Sequence, residues 1–182
     1  MTRPARNRLM VGVFVVVAFF AAPRLPNALL WTATAVATPL LLAAWWVTLP
    51  FQRARGFLRK QQYEEAATEL AAFESSLTAG WKRGLASMAV GLYTANPAAA
   101  SRNTLGAVRL EQGRLDDAQT HFKAALEHDA LYAVPWGNLA VLAAMRGDAA
   151  GAEDARIKAA TLGFKPKVLG AVIKDKLAAA GR

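Results

Sequence analysis

Between Asn103 and Phe164 the chain repeats itself. Leu105 and Leu139, Gly113 and Gly147, Ala118 and Ala152, and Ala125 and Ala159 are each 34 residues apart. A fixed period of about 20 to 50 residues marks stacked supersecondary units, and 34 is the helix–turn–helix value. One such unit cannot bury its apolar side alone, so it has to pack on a neighbour. The repeat therefore predicts an all-α chain whose mode of action is binding another chain.

The apolar residues are not spread evenly. The chain is 54% hydrophobic over 182 residues, against about 45–50% for an ordinary domain. The excess sits at the front, where residues 9–50 carry one charge, Arg24. Ala28 to Leu49 is a run of 22 uncharged residues. At 1.5 Å per residue it reaches about 33 Å, enough to cross a hydrocarbon core of roughly 30 Å. Trp31 lies near one end and Trp45 and Trp46 near the other, as interfacial aromatics do. Pro39 is tolerated inside a membrane helix, and Pro50 is expected to close it. Leu9 to Ala22 is shorter, and it extends to residues 9–25 if Arg8 and Arg24 snorkel to the surface. A cleaved secretory signal is the rival reading of this first segment. A second span within six residues favours a two-helix transmembrane hairpin, with spans at about 9–25 and 28–49.

Charge follows the same division. Residues 1–60 hold eight basic side chains and no acid, residues 61–155 hold seven basic against twelve acidic, and residues 156–182 hold seven against Asp175 alone. The net charge is +9, with a pI near 10.4. The basic blocks flank hydrophobic segments or lie in the tail, which assigns them to membrane flanks rather than to nucleic acid. By the positive-inside bias both ends face the cytoplasm, in an inner or plasma membrane. Residues 51–60 read as a basic juxtamembrane linker among the anionic headgroups of the bilayer.

Beyond it the composition turns to alanine and charge. Gln61 to Leu77 has Tyr63, Ala66, Ala67, Leu70 and Phe73 at helical spacing, with Glu64 and Glu65 in the first turns. Trp81 to Ala95 reads as a second helix stopped by Asn96-Pro97. Together, residues 61–98 form a degenerate helix pair.

The next two units, 99–132 and 133–166, resemble the tetratricopeptide repeat family. Leu105-Gly106 matches the family's paired leucine and glycine. Gly113 matches the turn glycine, Ala118 the small residue of the second helix, Phe122 the aromatic and Ala125 the second small residue. Trp136, Leu139, Ala140, Gly147, Ala152 and Ala159 fall at the matching places of the second unit. Arg102, Arg109, Ala130 and Arg156 depart from the pattern. The resemblance implies a short helical solenoid. Residues 167–182 supply its C-terminal capping helix, with Val168, Leu169, Val172, Ile173 and Leu177 facing inward and Lys167, Lys174 and Lys176 outside.

Catalytic chemistry finds no constellation. Cysteine is absent, which removes thiolate nucleophiles, thiolate metal sites and disulfides. His121 and His128, seven residues apart, would sit about 10.5 Å apart along a helix, too far to share a metal. No glycine-rich phosphate loop has its strand context. Neither a metal nor a cofactor is implied. What remains is the groove that the resemblance assigns to the first helix of each unit, here Asn103, Ala107, Leu110, Gly137, Val141, Ala144 and Met145. A small, apolar trough suits a protein or peptide partner laid along it; packing against the chain's own helices is the alternative. The sequence thus points to a membrane-tethered, non-catalytic adaptor or assembly factor. The alternative is a small structural subunit of a membrane complex, recruited through its hairpin.

Overall fold

The computed structural model describes residues 27–88 and 94–179, and every described element is helical. In order these are α1 (Asn27–Arg59), α2 (Tyr63–Ser76), α3 (Gly80–Ser87), α4 (Pro97–Glu111), α5 (Leu115–His128), α6 (Ala133–Met145), α7 (Ala149–Thr161) and α8 (Pro166–Ala179). The first expected span, at 9–25, lies outside the described residues.

The turns explain the pairing of the helices. Gly113 and Gly147 have φ of 74° and 79°, the left-handed conformation that only glycine adopts without strain. The Gly113 N–H donates to the Leu110 carbonyl and the Arg114 N–H to the Arg109 carbonyl. Gly147 and Asp148 make the same two bonds to Ala144 and Ala143. This double closure satisfies the last carbonyls of a helix and reverses the chain within a few residues. Acids then open the next helix: Asp116 and Asp117 lie in the first turn of α5, and Asp148 caps α7 by accepting from the Gly151 N–H. α4 consequently packs along α5, and α6 along α7.

A third hairpin of the same build is formed by α1 and α2. Its turn residue is Gln61, the one described non-glycine residue with positive φ, at 60°. The Gln61 N–H donates to Leu58 and the Gln62 N–H to Phe57, the bonds made at Gly113 and Gly147. Counted from that turn, Glu64-Glu65 corresponds to Asp116-Asp117, Ala66 to Ala118, Leu70 to Phe122 and Ala54 to Gly106. Ala54, Ala66 and Leu70 are all buried.

This arrangement revises the expected boundaries. The partner of α2 is the end of α1, not the segment after it. The expected linker at 51–60 is helix as far as Arg59, and Pro50 does not close the span. Proline inside a helix costs about 3 kcal/mol. Val47 and Phe51, at 4% and 3% exposure, recover about 1.5–3 kcal/mol each by burial. Burial wins, and the helix continues. The helix expected at 81–95 ends at Ser87, and residues 89–93 lie outside the described set.

Two core clusters result. One joins Val47, Phe51 and Ala54 to Leu70, Phe73, Leu77, Ala86 and Val108. The other joins Leu110, Ala118 and Phe122 to Ala140, Val141, Leu142, Ala155, Ala159 and Leu169. At the α4–α5 contact, a Cβ placed on Gly106 would lie 2.6 Å from the Phe122 ring. This glycine is required by close approach, not by its φ.

The outer part of α1 is not covered. Val36, Leu41, Leu42, Trp45 and Trp46 are exposed. Among the described residues α1 is the one helix long and apolar enough to cross a membrane, by length and composition, with a mean hydropathy of 1.5 over its most apolar 18 residues within Ala33–Arg59.

Candidate partner-binding surface

The seven residues expected to line a groove fall on α4 and α6, and the structure brings them onto adjoining helices. Asn103, Leu110, Gly137 and Val141 are buried, whereas Ala107, Ala144 and Met145 are half-buried. Two different neighbours account for that burial. Asn103 accepts a hydrogen bond from the Asn138 side chain at 2.9 Å, tying α4 to α6. α8 does the rest by lying along α6. Phe164 covers Gly137, its ring 3.6 Å from where a Cβ would stand, and Leu169 is buried beside Val141 and Leu142.

The Phe164 position is itself set by a third left-handed glycine, Gly163 at φ 93°. Gly163 and Phe164 donate to the Ala160 and Ala159 carbonyls, so α8 leaves α7 through the same turn as the other hairpins. Its inward stripe is narrower than the sequence suggests. Leu169 is buried, and Ile173 and Leu177 are half-buried, whereas Val168 and Val172 are exposed. Lys176, expected outside, instead forms a salt bridge with Glu111 at the end of α4. Leu169, Ile173 and Leu177 follow an i, i+4, i+8 line, and α6 is too narrow a partner to cover a wider one.

Two of the departures from the repeat pattern, Arg102 and Arg109, lie between α2 and the α4–α5 pair, whereas Arg156 pairs with Glu153 on α7. Arg102 forms a 3.0 Å salt bridge with Glu74 of α2. Arg109 donates to the Gln112 side chain at 2.8 Å, and Gln112 donates to Glu64 at 2.9 Å. A polar layer therefore stands where larger apolar side chains would have packed. His121 borders it, and its pKa is held below the usual 6.5 by burial first and by Arg102 and Arg109 second. His128 lies apart, at the end of α5, where its carbonyl accepts from the Asn96 side chain at 2.8 Å.

On the other side of α6, Trp136, Leu139, Leu142, Ala143 and Ala155 line a shallow cleft of about 210 Å³. The Lys158 ammonium stands 4.5 Å from the Trp136 ring centroid, within cation–π range. Arg146 at its edge donates to the Gln119 side chain at 2.7 Å and pairs with Asp116, so that cation is already committed. Among the described residues no three His, Asp or Glu side chains gather as metal donors.

Sequence reasoning expected α8 as a terminal cap with Leu169, Ile173 and Leu177 inward but did not lay it over the trough residues. It overlooked α1 as a repeat helix, for which the signal was the match between Tyr63-Glu64-Glu65-Ala66 and Leu115-Asp116-Asp117-Ala118 at a spacing of 52 residues.

Fold and surface together define an all-helical protein built of successive antiparallel helix pairs, with an exposed apolar helix at one end. No family model, curated protein or solved structure matches the chain.

Proposed function

We propose that the chain is a membrane-tethered, non-catalytic protein–protein interaction module of the tetratricopeptide type, an adaptor or assembly factor whose helix pairs form a short solenoid facing the cytoplasm. The observation that carries this reading is the recurrence of one hairpin, with one turn geometry, at Gln61, Gly113 and Gly147, on the inner end of a helix whose outer end is apolar and exposed. Tethering confines encounters to the membrane plane and raises effective concentration there. The two-helix hairpin and the orientation with both ends cytoplasmic rest on the apolar runs and on the flanking arginines. Ala107, Ala144 and Met145 are the parts of the trough a partner can reach without displacing α8.

Photo-crosslinkers placed in cells at Ala107 and Ala144, with exposed Thr120 and Ile157 as controls, test the trough. One partner captured from the first two positions and absent from the controls is the expected result. Adducts from the controls alone would sink the groove reading. A topology reporter at residue 182 that reads as external would overturn the orientation.

One observation favours the second reading, a structural subunit recruited through its membrane helices. Val36, Leu41 and Leu42 are 62%, 69% and 59% exposed, while four of the seven trough residues are buried. Replacing residues 1–44 by an unrelated two-span anchor separates the two. An adaptor keeps its crosslinked partner, and a hairpin-recruited subunit loses its complex.

A further inference from the structure

Resting on the tether reading, we propose that α3 is a second membrane contact, a short interfacial helix that lays the helical domain against the anionic headgroup layer beside the point where α1 enters the bilayer.

α3 is attached to the inner part of α1, with Ala86 buried and Leu85 packed in the first core cluster. Its attachment leaves Trp81 60% and Met88 67% exposed. Seven residues apart, these two project from the same side of a helix. Among the described residues nothing covers them. Their position relative to the apolar helix is fixed by Lys82, whose ammonium lies 5.5 Å from the Trp46 ring centroid and 5.5 Å from that of Trp81. Trp46 is the last exposed residue of α1 before Val47 and Thr48 enter the core. The bilayer boundary therefore falls at Trp45–Trp46, since the docked residues beyond cannot enter lipid. From Asn27 to Trp46 the helix rises about 30 Å, the thickness of a hydrocarbon core. Lys82 stands between the two rings, which brings Trp81 near that boundary.

Indole rings prefer that level, with one end apolar and the other wet. The charge around them matches. Lys82 and Arg83 lie on α3, Arg83 donating to the Leu77 carbonyl, and Arg53 and Arg55 follow Trp46 on α1 by about 10 and 14 Å of helix rise, with Glu69 facing Arg53 at 3.9 Å. A basic rim around exposed indoles, continuous with an apolar helix, fits an anionic lipid surface. α1 continues as helix from the span into the core without a flexible linker, so the domain cannot swing freely. Two contacts on one rigid body fix its orientation on the membrane.

The absence of cysteine makes the test direct. Single cysteines carrying the NBD fluorophore replace Met88, Trp81, Val36 and Thr120 in turn, in the full chain reconstituted into phosphatidylcholine–phosphatidylglycerol vesicles. Circular dichroism confirms that each variant is folded. The label at position 36 should be quenched by lipids brominated deep in the acyl chain. Labels at positions 81 and 88 should show blue-shifted emission and quenching by lipids brominated near the headgroup. The label at position 120 should show neither. Removing phosphatidylglycerol should reduce the signal at position 88 and leave position 36 unchanged. If position 36 lies in lipid while 81 and 88 behave like 120, the interfacial helix is refuted and the tether stands. If position 36 also stays in water, the tether fails and the inference fails with it.

Discussion

Gly106→Ala should destabilise the chain although alanine is the better helix former. The substituted Cβ would stand 2.6 Å from Cδ1 and Cε1 of Phe122 and 3.2 Å from the Ala118 carbonyl oxygen. Phe122 is fully buried, so its ring has no free space to retreat into, and the Ala118 oxygen belongs to the α5 backbone. Overpacking of this kind costs about 1–3 kcal/mol. The gain from replacing glycine inside a helix is about 0.8–1 kcal/mol. The 2.6 Å approach puts the cost at the upper end of that range, so the clash wins, for a net loss of up to about 2 kcal/mol. For a helical body of this size, at about 2–4 °C per kcal/mol, that corresponds to a fall in Tm of up to about 8 °C. A second substitution tests the cause. The α1–α2 hairpin solves the same contact with Ala54 and Leu70, both buried in one cluster. Phe122→Leu should therefore rescue Gly106→Ala, making the double variant about 1–2 kcal/mol more stable than the sum of the single effects predicts. Thermal unfolding followed by circular dichroism in detergent micelles measures all four species. A single Gly106→Ala variant as stable as the parent, or strict additivity in the cycle, would refute the close-approach argument.

Three further outcomes are expected. Asn96 caps α4 by accepting from the Ala98 and Ala99 N–H groups and also donates to the His128 carbonyl; Asn96→Ala should cost about 1–2 kcal/mol in chemical denaturation. The Ser101 hydroxyl is fully buried and has no hydrogen-bond partner among the described residues, so Ser101→Ala should leave stability unchanged or raise it by up to about 1 kcal/mol. The folded-state pKa of His121 is depressed, so its contribution is fully present above the ordinary value of 6.5 and is lost as pH falls through the lower folded value. His121→Gln should flatten the stability–pH profile between that lower value and 6.5, and an unaltered slope in this window would show that another group titrates there.

The repeat units were legible because their signals are local. Gly113 and Gly147 mark turns that need a left-handed residue, and the acids that follow them mark helix starts. These requirements act within a few residues, so a 34-residue period in sequence becomes a repeated hairpin in space. The third hairpin escaped the same reading because Gln61 replaces the glycine and α3 interrupts the period. Its first helix also belongs to a run whose hydropathy announces a membrane span. Gln61 holds φ at 60° only because Phe51, Ala54, Ala66 and Leu70 are buried together, and that burial is a tertiary fact.

The trough divides in the same way. Sequence placed its seven residues on the first helices of two units, and α4 and α6 carry them. Which of those residues stay accessible was decided by the turn before α8 and by α8 itself, whose Phe164, Leu169 and Lys176 reach Gly137, Val141 and Glu111 across long separations in the chain. By itself the sequence determined helical character, the repeated turn and the apolar front, because each depends on short-range backbone preference or on solvent transfer of a continuous segment. The tertiary structure alone decided that α1 serves both as apolar helix and as repeat helix, that α3 carries Trp81 beside Trp46, and that the trough is partly closed. Those outcomes depend on which distant surfaces meet, and packing between distant segments leaves no periodic mark in the chain.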